Sequence, residues 1–267
     1  MKRRHLFEFE DQRWFPAFLR DAITDFLSEA LVVGKQVYTP VLPLLTKLLE
    51  RQGSSCIVDL CSGGCGPWPS LKGQLDAKAG SASLVLTDKY PNVAAFRRAA
   101  ETIDARSVTF STAPVDATDV PSGLKGVRTL FTSFHHLRPA TAKQVLADAF
   151  RQRCAIGVFE FTERRWAIVL GSIVLAPLFV LLSVPRHRPV RLSRLLATFV
   201  VPVVPLAAMW DSVVSNLRTY LPAELHEMVA DLTAEDYAWE IGQLTGNGGP
   251  PITYLLGFPT TRRDETA

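Results

Sequence analysis

The chain has 267 residues, 48% of them apolar and 9% aromatic, enough to bury a full core in one domain carrying an insertion. A formal net charge of +3 gives no ground for nucleic-acid binding. Four cysteines, three of them spaced C-x4-C-x3-C from Cys56 to Cys65 with no neighbouring histidine, lack zinc-ligand spacing, so no metal is expected. They read as reduced, small core residues of a cytoplasmic protein. Acids at Glu8 and Glu10 interrupt any apolar run at the start, so a cleaved signal peptide is not expected.

In chain order, an aromatic and acidic entry over 7–16 leads into a helix. Phe18, Leu19, Ala22, Ile23, Phe26, Leu27, Ala30 and Leu31 recur at three and four, giving one apolar face. A second helix is expected over 41–51, stopping at Gly53. Then comes Cys56-Ile57-Val58-Asp59-Leu60-Cys61-Ser62-Gly63-Gly64-Cys65-Gly66. A short apolar run reads as a buried strand, and the Gly-rich exit reads as a turn whose backbone passes within contact distance of a nucleotide-like ligand.

This stretch resembles the first motif of the class I S-adenosylmethionine (SAM) dependent methyltransferases, an acid followed by a Gly-rich turn under the methionine half of the cofactor. Cys61 and Cys65 stand at the outer glycine positions of that motif. The resemblance covers about residues 54–163 and 211–258. It implies a methyltransferase whose SAM site includes Asp59, Cys61, Gly63 and Gly64. N-terminal helices often close over the cofactor in this family, which makes Trp14 and Tyr38 either wall residues toward a substrate or packing aromatics.

The second strand is expected over 83–88. A carboxylate at its end, Asp88, offers two coplanar oxygens to both ribose hydroxyls, with Lys89 beside it. Asp88 lies 29 positions after Asp59, longer than the usual ~20, so the intervening segment is extended. A helix over 93–103 and a strand over 108–110 follow. Asp116-Ala117 then looks like the family's third signature, in which the aspartate accepts from the adenine amino group.

The fourth strand, 129–134, ends in Ser133 and His135-His136-Leu137 at the carboxyl edge where open α/β sheets bind ligands. The family often shows a similar His-His-Leu, and often an aspartate at the strand's start where this chain has Val127-Arg128. Methyl transfer from a sulfonium needs alignment above all. His136, with His135, is therefore either a base for the acceptor's proton or a structural hydrogen-bonding group.

A helix over 140–153 and a fifth strand over 155–163 complete the βα alternation, which predicts a parallel sheet. Strand-like runs over 237–243 and 252–258, joined by a Gly/Pro-rich linker at 245–251, predict a terminal hairpin that adds an antiparallel strand. Nicotinamide Rossmann domains lack that hairpin.

An insertion stands before it. Residues 167–184 are 18 uncharged, mostly apolar residues broken by Pro177, and 195–210 form a second apolar block with Pro202 and Pro205. Between them 185–194 carries four arginines. Three readings follow: attachment to a membrane surface, a two-helix span, or an apolar lid over the substrate cleft. Positive-inside bias favours attachment, because it keeps both basic clusters on one leaflet. On the returning helix, Asp211, Ser215 and Arg218 share one face at i, i+4 and i+7, either for substrate or as a surface arrangement.

The expected fold is thus α/β, a doubly wound mostly parallel sheet with an antiparallel C-terminal strand, an N-terminal helical cap and an inserted apolar helical hairpin. The divisions are 1–52, cap; 53–165, SAM-binding core; 166–210, insertion; 211–259, end of the core; and 260–267, tail. The expected activity is methyl transfer from SAM to a small or lipid-like acceptor on the cytoplasmic side of a membrane, or in the cytoplasm. The alternative is a non-catalytic scaffold of the same fold.

Overall fold

The computed structural model describes residues 1–12, 14–20, 22–23, 37–184, 192–245 and 251–260. Outside them lie the later turns expected of the N-terminal helix, most of the basic segment after Val184, the tip of the terminal hairpin and the charged tail. The chain divides into two compact units. A helical unit comprises 1–34 and 162–220, and a sheet unit comprises 35–161 and 221–267.

In the sheet unit, seven strands run β1 (Cys56–Asp59), β2 (Ser83–Leu86), β3 (Val108–Phe110), β4 (Val127–Phe131), β5 (Ile156–Glu160), β6 (Tyr237–Leu244) and β7 (Ile252–Pro259). Their spatial order is β3-β2-β1-β4-β5-β7-β6. The first five are parallel, and β7 enters antiparallel between β5 and β6, with Val158 opposite Leu255. The expected doubly wound sheet with an antiparallel C-terminal strand is therefore present. Strand order reverses between β1 and β4, the switch point where such sheets bind ligands beyond their carboxyl ends.

The helices of this unit are α1 (Leu42–Gln52), α2 (Trp68–Ala79), α3 (Val93–Ile103), α4 (Pro139–Arg151) and, after the helical unit's α5 (Trp166–Ser183) and α6 (Val203–Arg218), α7 (Pro222–Val229). Local chemistry sets their ends. Gly53 closes α1 in the left-handed region at φ 61°, Asn92 caps α3 by accepting from the Ala95 N–H, and prolines open α4 and α7. The long gap between Asp59 and Asp88 holds α2.

Strands β4 and β5 are buried along their whole length. Among their buried side chains is Arg128 of β4, where the resembled family often has an acid nearby. Its Nη1 donates to Asp148 Oδ2 at 2.8 Å, and Asp148 also accepts from Arg151 and Gln152. A charge pair thus replaces the expected acid, under the sheet and away from its carboxyl edge.

The helical unit packs α5 and α6 antiparallel. Asn216 Nδ2 donates to Ser172 Oγ at 3.0 Å near one end, and Val180 and Val184 cluster with Val204, Ala207 and Ala208 near the other. Phe15, Leu19, Ala22 and Ile23 complete that cluster. Of the apolar face expected of the N-terminal helix, Leu19, Ala22 and Ile23 are buried, while Phe18 is exposed. Between the two long helices, Leu192–Leu195 and Leu196–Val200 form short helical turns, and the chain bends by 72° before α6.

The two units divide the chain differently from the expected divisions. Residues 42–52 belong with the sheet unit because α1 lies on β5, so closely that a Cβ on Gly157 would meet Leu48 Cδ1 at 2.8 Å. Residues 211–220 belong with the helical unit because α6 runs unbroken through position 211.

Candidate functional site

The loops leaving β1, β2 and β3 are tied to one another at the carboxyl edge of the sheet. The Gly63 N–H donates to Asp88 Oδ2 at 2.9 Å, and the Val115 N–H donates to the Asp88 carbonyl at 2.9 Å. Lys89 Nζ reaches Asp116 Oδ2 at 2.6 Å. Asp59, Asp88 and Asp116 therefore head three hydrogen-bonded neighbours, as a single ligand-holding edge requires.

The turn after β1 is built on left-handed backbone. Cys61, Gly63, Cys65 and Gly66 have φ of 56°, 47°, 78° and 47°. At Gly63 an added Cβ would meet nothing within 4 Å, so the space over this turn is open. Cys61 and Cys65 take the strain that glycine avoids. Burial pushes both thiols up to about 12, which keeps them neutral and poorly nucleophilic.

Asp59 is buried beneath the turn. Burial pushes its carboxyl up to about 6, against hydrogen bonds from Thr129 Oγ1 and Ser62 Oγ, each 2.7 Å, that hold it down. Ser62 also receives the Thr87 N–H at 3.2 Å, so one hydroxyl joins the ends of β1 and β2. Asp59 is thus an anchor of the turn.

Asp88 accepts one backbone N–H on each oxygen, from Gly63 and from Tyr90 at 2.8 Å. Each carboxylate oxygen has a second lone pair, so two hydroxyls can still be held. Asp116 accepts from the Thr118 N–H and Oγ1 on one oxygen and from Lys89 on the other. The Lys89 hydrogen bond holds its carboxyl down at about 2. Ala117 is buried beside it.

Beyond β4, Ser133 Oγ is buried without a hydrogen-bond partner. His135 is buried, with Nδ1 2.7 Å from Glu160 Oε2, while Glu160 Oε1 accepts the Phe134 N–H at 2.7 Å. Burial alone would raise the Glu160 carboxyl, but the histidines and the backbone donor outweigh it and leave it lowered. His136 is half-buried, its ring 4.3 Å from that of His135. Tyr38, expected as a wall or packing aromatic, is buried, hydrogen-bonded to Thr132 and set edge-on to Phe131 at 5.1 Å. Burial raises its hydroxyl pKa well above the usual phenol range. Glu160 is the residue that sequence reasoning gave no role. Its signal is an acid closing an otherwise apolar buried strand.

These groups suit an adenosyl cofactor. Asp88 offers paired acceptors for a diol, Asp116 an acceptor for an amino group, and the turn over Gly63 an approach without side-chain obstruction. Ser133 Oγ adds a buried polar atom awaiting a partner.

The remaining candidates lie in the helical unit and are engaged within it. Asp211 accepts the Phe9 and Glu10 N–H groups at 2.7 and 3.1 Å, Ser215 Oγ donates to Glu8 Oε1 at 3.1 Å, and Arg218 donates to the Leu6 carbonyl and to Asp11. The polar face shared at i, i+4 and i+7 is real, but it grips the N-terminal segment. Burial pushes the Asp211 carboxyl up to about 7, against those two backbone bonds. Trp14 is exposed at the rim of an aromatic group with Phe9 and Phe15.

No protein-family model matches the chain, and no curated protein matches it by sequence. Among solved structures, the plantazolicin methyltransferase BpumL in complex with SAH is similar over 94% of each chain, at 12% identity and a TM-score of 0.54. An O-methyltransferase family protein from Burkholderia thailandensis is similar over 91% of this chain and 60% of its own, at 16% identity and a TM-score of 0.51. The chain thus has the class I methyltransferase fold.

Proposed function

We propose that the protein is a SAM-dependent methyltransferase acting on a small or lipid-like acceptor at a membrane surface. The observation that carries the activity is the bonded set Gly63–Asp88–Val115 with Lys89–Asp116, which gathers two acids at the switch point of a methyltransferase-type sheet. Bound there, SAM would supply an activated methyl group on a sulfonium. Asp88 would hold the ribose diol, Asp116 the adenine amino group, and the turn at Cys61, Gly63 and Gly64 the methionine side.

The residues' own work is alignment and proton handling. Glu160 fixes His135 through Nδ1, and His135 lies beside His136. His136, the more exposed of the two, takes the proton of an acceptor hydroxyl or amine as it is methylated. The lipid-like acceptor and the membrane setting are supported by the apolar surface of the helical unit. Cys61 and Cys65 in a turn that glycine fits better are what a scaffold that has lost its cofactor would show.

Isothermal titration with SAM separates these readings. Wild type should bind, and Asp88→Ala should lose about 100-fold or more in affinity as two charge-assisted hydrogen bonds, each worth about 1.5–3 kcal/mol, are removed. No binding by wild type would favour the scaffold, and unchanged affinity in Asp88→Ala would overturn the ribose assignment.

A further inference from the structure

Exposed apolar side chains are gathered in one of the two units. Of the twenty large hydrophobic residues exposed among the described residues, only Tyr90 belongs to the sheet unit. The rest concentrate on α5 and on 192–206, with Leu175 63% exposed, Val200 68% and Leu192 70%.

On α5 the buried residues Val169, Ala176, Val180 and Ser183 form a narrow stripe. At about 100° per residue, the exposed Leu170, Ile173, Val174, Leu175, Leu178 and Leu182 sweep an arc of roughly 200°. A protein partner or a second copy covers a seam nearer 100° wide. Only a fluid medium wets so wide an arc at once, and no charged residue lies between Trp166 and Val184.

The ends of this apolar length are marked. Arg165 and Trp166 are exposed at its start, the latter 65%, and Arg186, Arg188 and Arg191 follow its end in the sequence. An indole at the border and cations at both ends match a headgroup layer bearing negative charge.

The alternative is that α5 crosses the bilayer, and it is the one described helix long and apolar enough to do so. The packing of α6 opposes this. Asp211 lies on α6 between the Asn216–Ser172 contact and the Val204–Val180 cluster, so it stands level with the middle of α5. Asp211 and Arg218 bind the irregular segment over residues 1–11, and Arg218 Nη1 is 3.2 Å from Glu8. A crossing α5 would carry this non-helical backbone and its charges to the depth of the hydrocarbon, where irregular chain is not tolerated against lipid.

We infer that the helical unit is a monotopic anchor: the outer face of α5 and the bent segment 192–206 embed in one leaflet of an anionic bilayer, with Arg165 and Trp166 at its headgroup layer. This rests on the membrane-surface part of the proposed function and names its partner and topology.

The test uses the full chain added to preformed vesicles of phosphatidylcholine with or without about one third phosphatidylglycerol, whose negative surface potential attracts cations. Wild type should float with the anionic vesicles. Val174→Asp combined with Leu175→Asp should stay at the bottom while keeping wild-type SAM affinity and helical circular dichroism, because both positions are exposed. External trypsin should cut the bound chain between Arg186 and Arg191 without detergent. Wild type that fails to float, or a double variant that floats as well as wild type, overturns the anchor. Protection of those arginines until detergent is added overturns the one-leaflet topology. Titration with SAM in the same samples reports separately on the activity reading.

Discussion

Asp59 shows how one buried carboxyl serves both fold and site. With a folded pKa of about 6 against the ordinary value of 3.8, the folded chain holds a proton that the unfolded chain has released. Stability therefore falls as pH rises from about 4 to about 6, by on the order of 3 kcal/mol, and the cost stays in place above that window. Asp59→Asn removes the titrating group, so its melting temperature should vary less than wild type's between pH 4.5 and 7. A wild-type slope in that variant would place the proton elsewhere. Asp59, Asp88 and Asp116 were legible as residues because they stand in the order of a family's motifs, at or after the ends of β1, β2 and β3. Glu160 was not singled out, since nothing in Phe159-Glu160-Phe161 tells which backbone donors its oxygens will meet. Asp211, Ser215 and Arg218 were legible as a stripe, but periodicity names a face and not its neighbour.

At the level of elements, the sequence carried strand and helix positions well, with boundaries off by a few residues where turns borrow strand-like residues. The strand β4 was expected over 129–134 but runs from Val127 to Phe131, because the chain tightens at Thr132, where φ is 44°. That strand also carries the Arg128–Asp148 pair, both side chains almost fully buried. Arg128→Leu leaves the buried Asp148 carboxylate only Arg151, Gln152 and the Val120 N–H as partners, so it should cost about 2–4 kcal/mol in urea unfolding. Arg128→Leu with Asp148→Leu should recover most of the loss. If the double variant is no better than the single, the arginine is holding α4 by its aliphatic stem and not by its charge.

For the whole molecule, the sheet unit carries all the groups assigned to SAM, and ligand binding should register as stability. SAM at a hundredfold excess over its dissociation constant should add about 2.7 kcal/mol and raise the melting temperature by about 5–10 °C. Calorimetry with and without SAM measures it, and a shift within error would contradict a cofactor site in the folded state. The sequence revealed that an apolar insertion exists. It could not reveal that the insertion shares a unit with residues 1–34, because that pairing rests on contacts between segments far apart in the chain.

The place of β7 bears on how the protein is made. It follows β6 in the chain, yet it sits between β5 and β6. A ribosome that has released β1 to β5 has exposed the backbone of β5 along one border, and that border stays unpaired until the hairpin emerges. During that interval the nascent chain also displays the most apolar stretch it contains. Production of this protein should therefore lean on chaperones that shield a growing polypeptide, and abrupt overexpression should favour aggregates nucleated at β5.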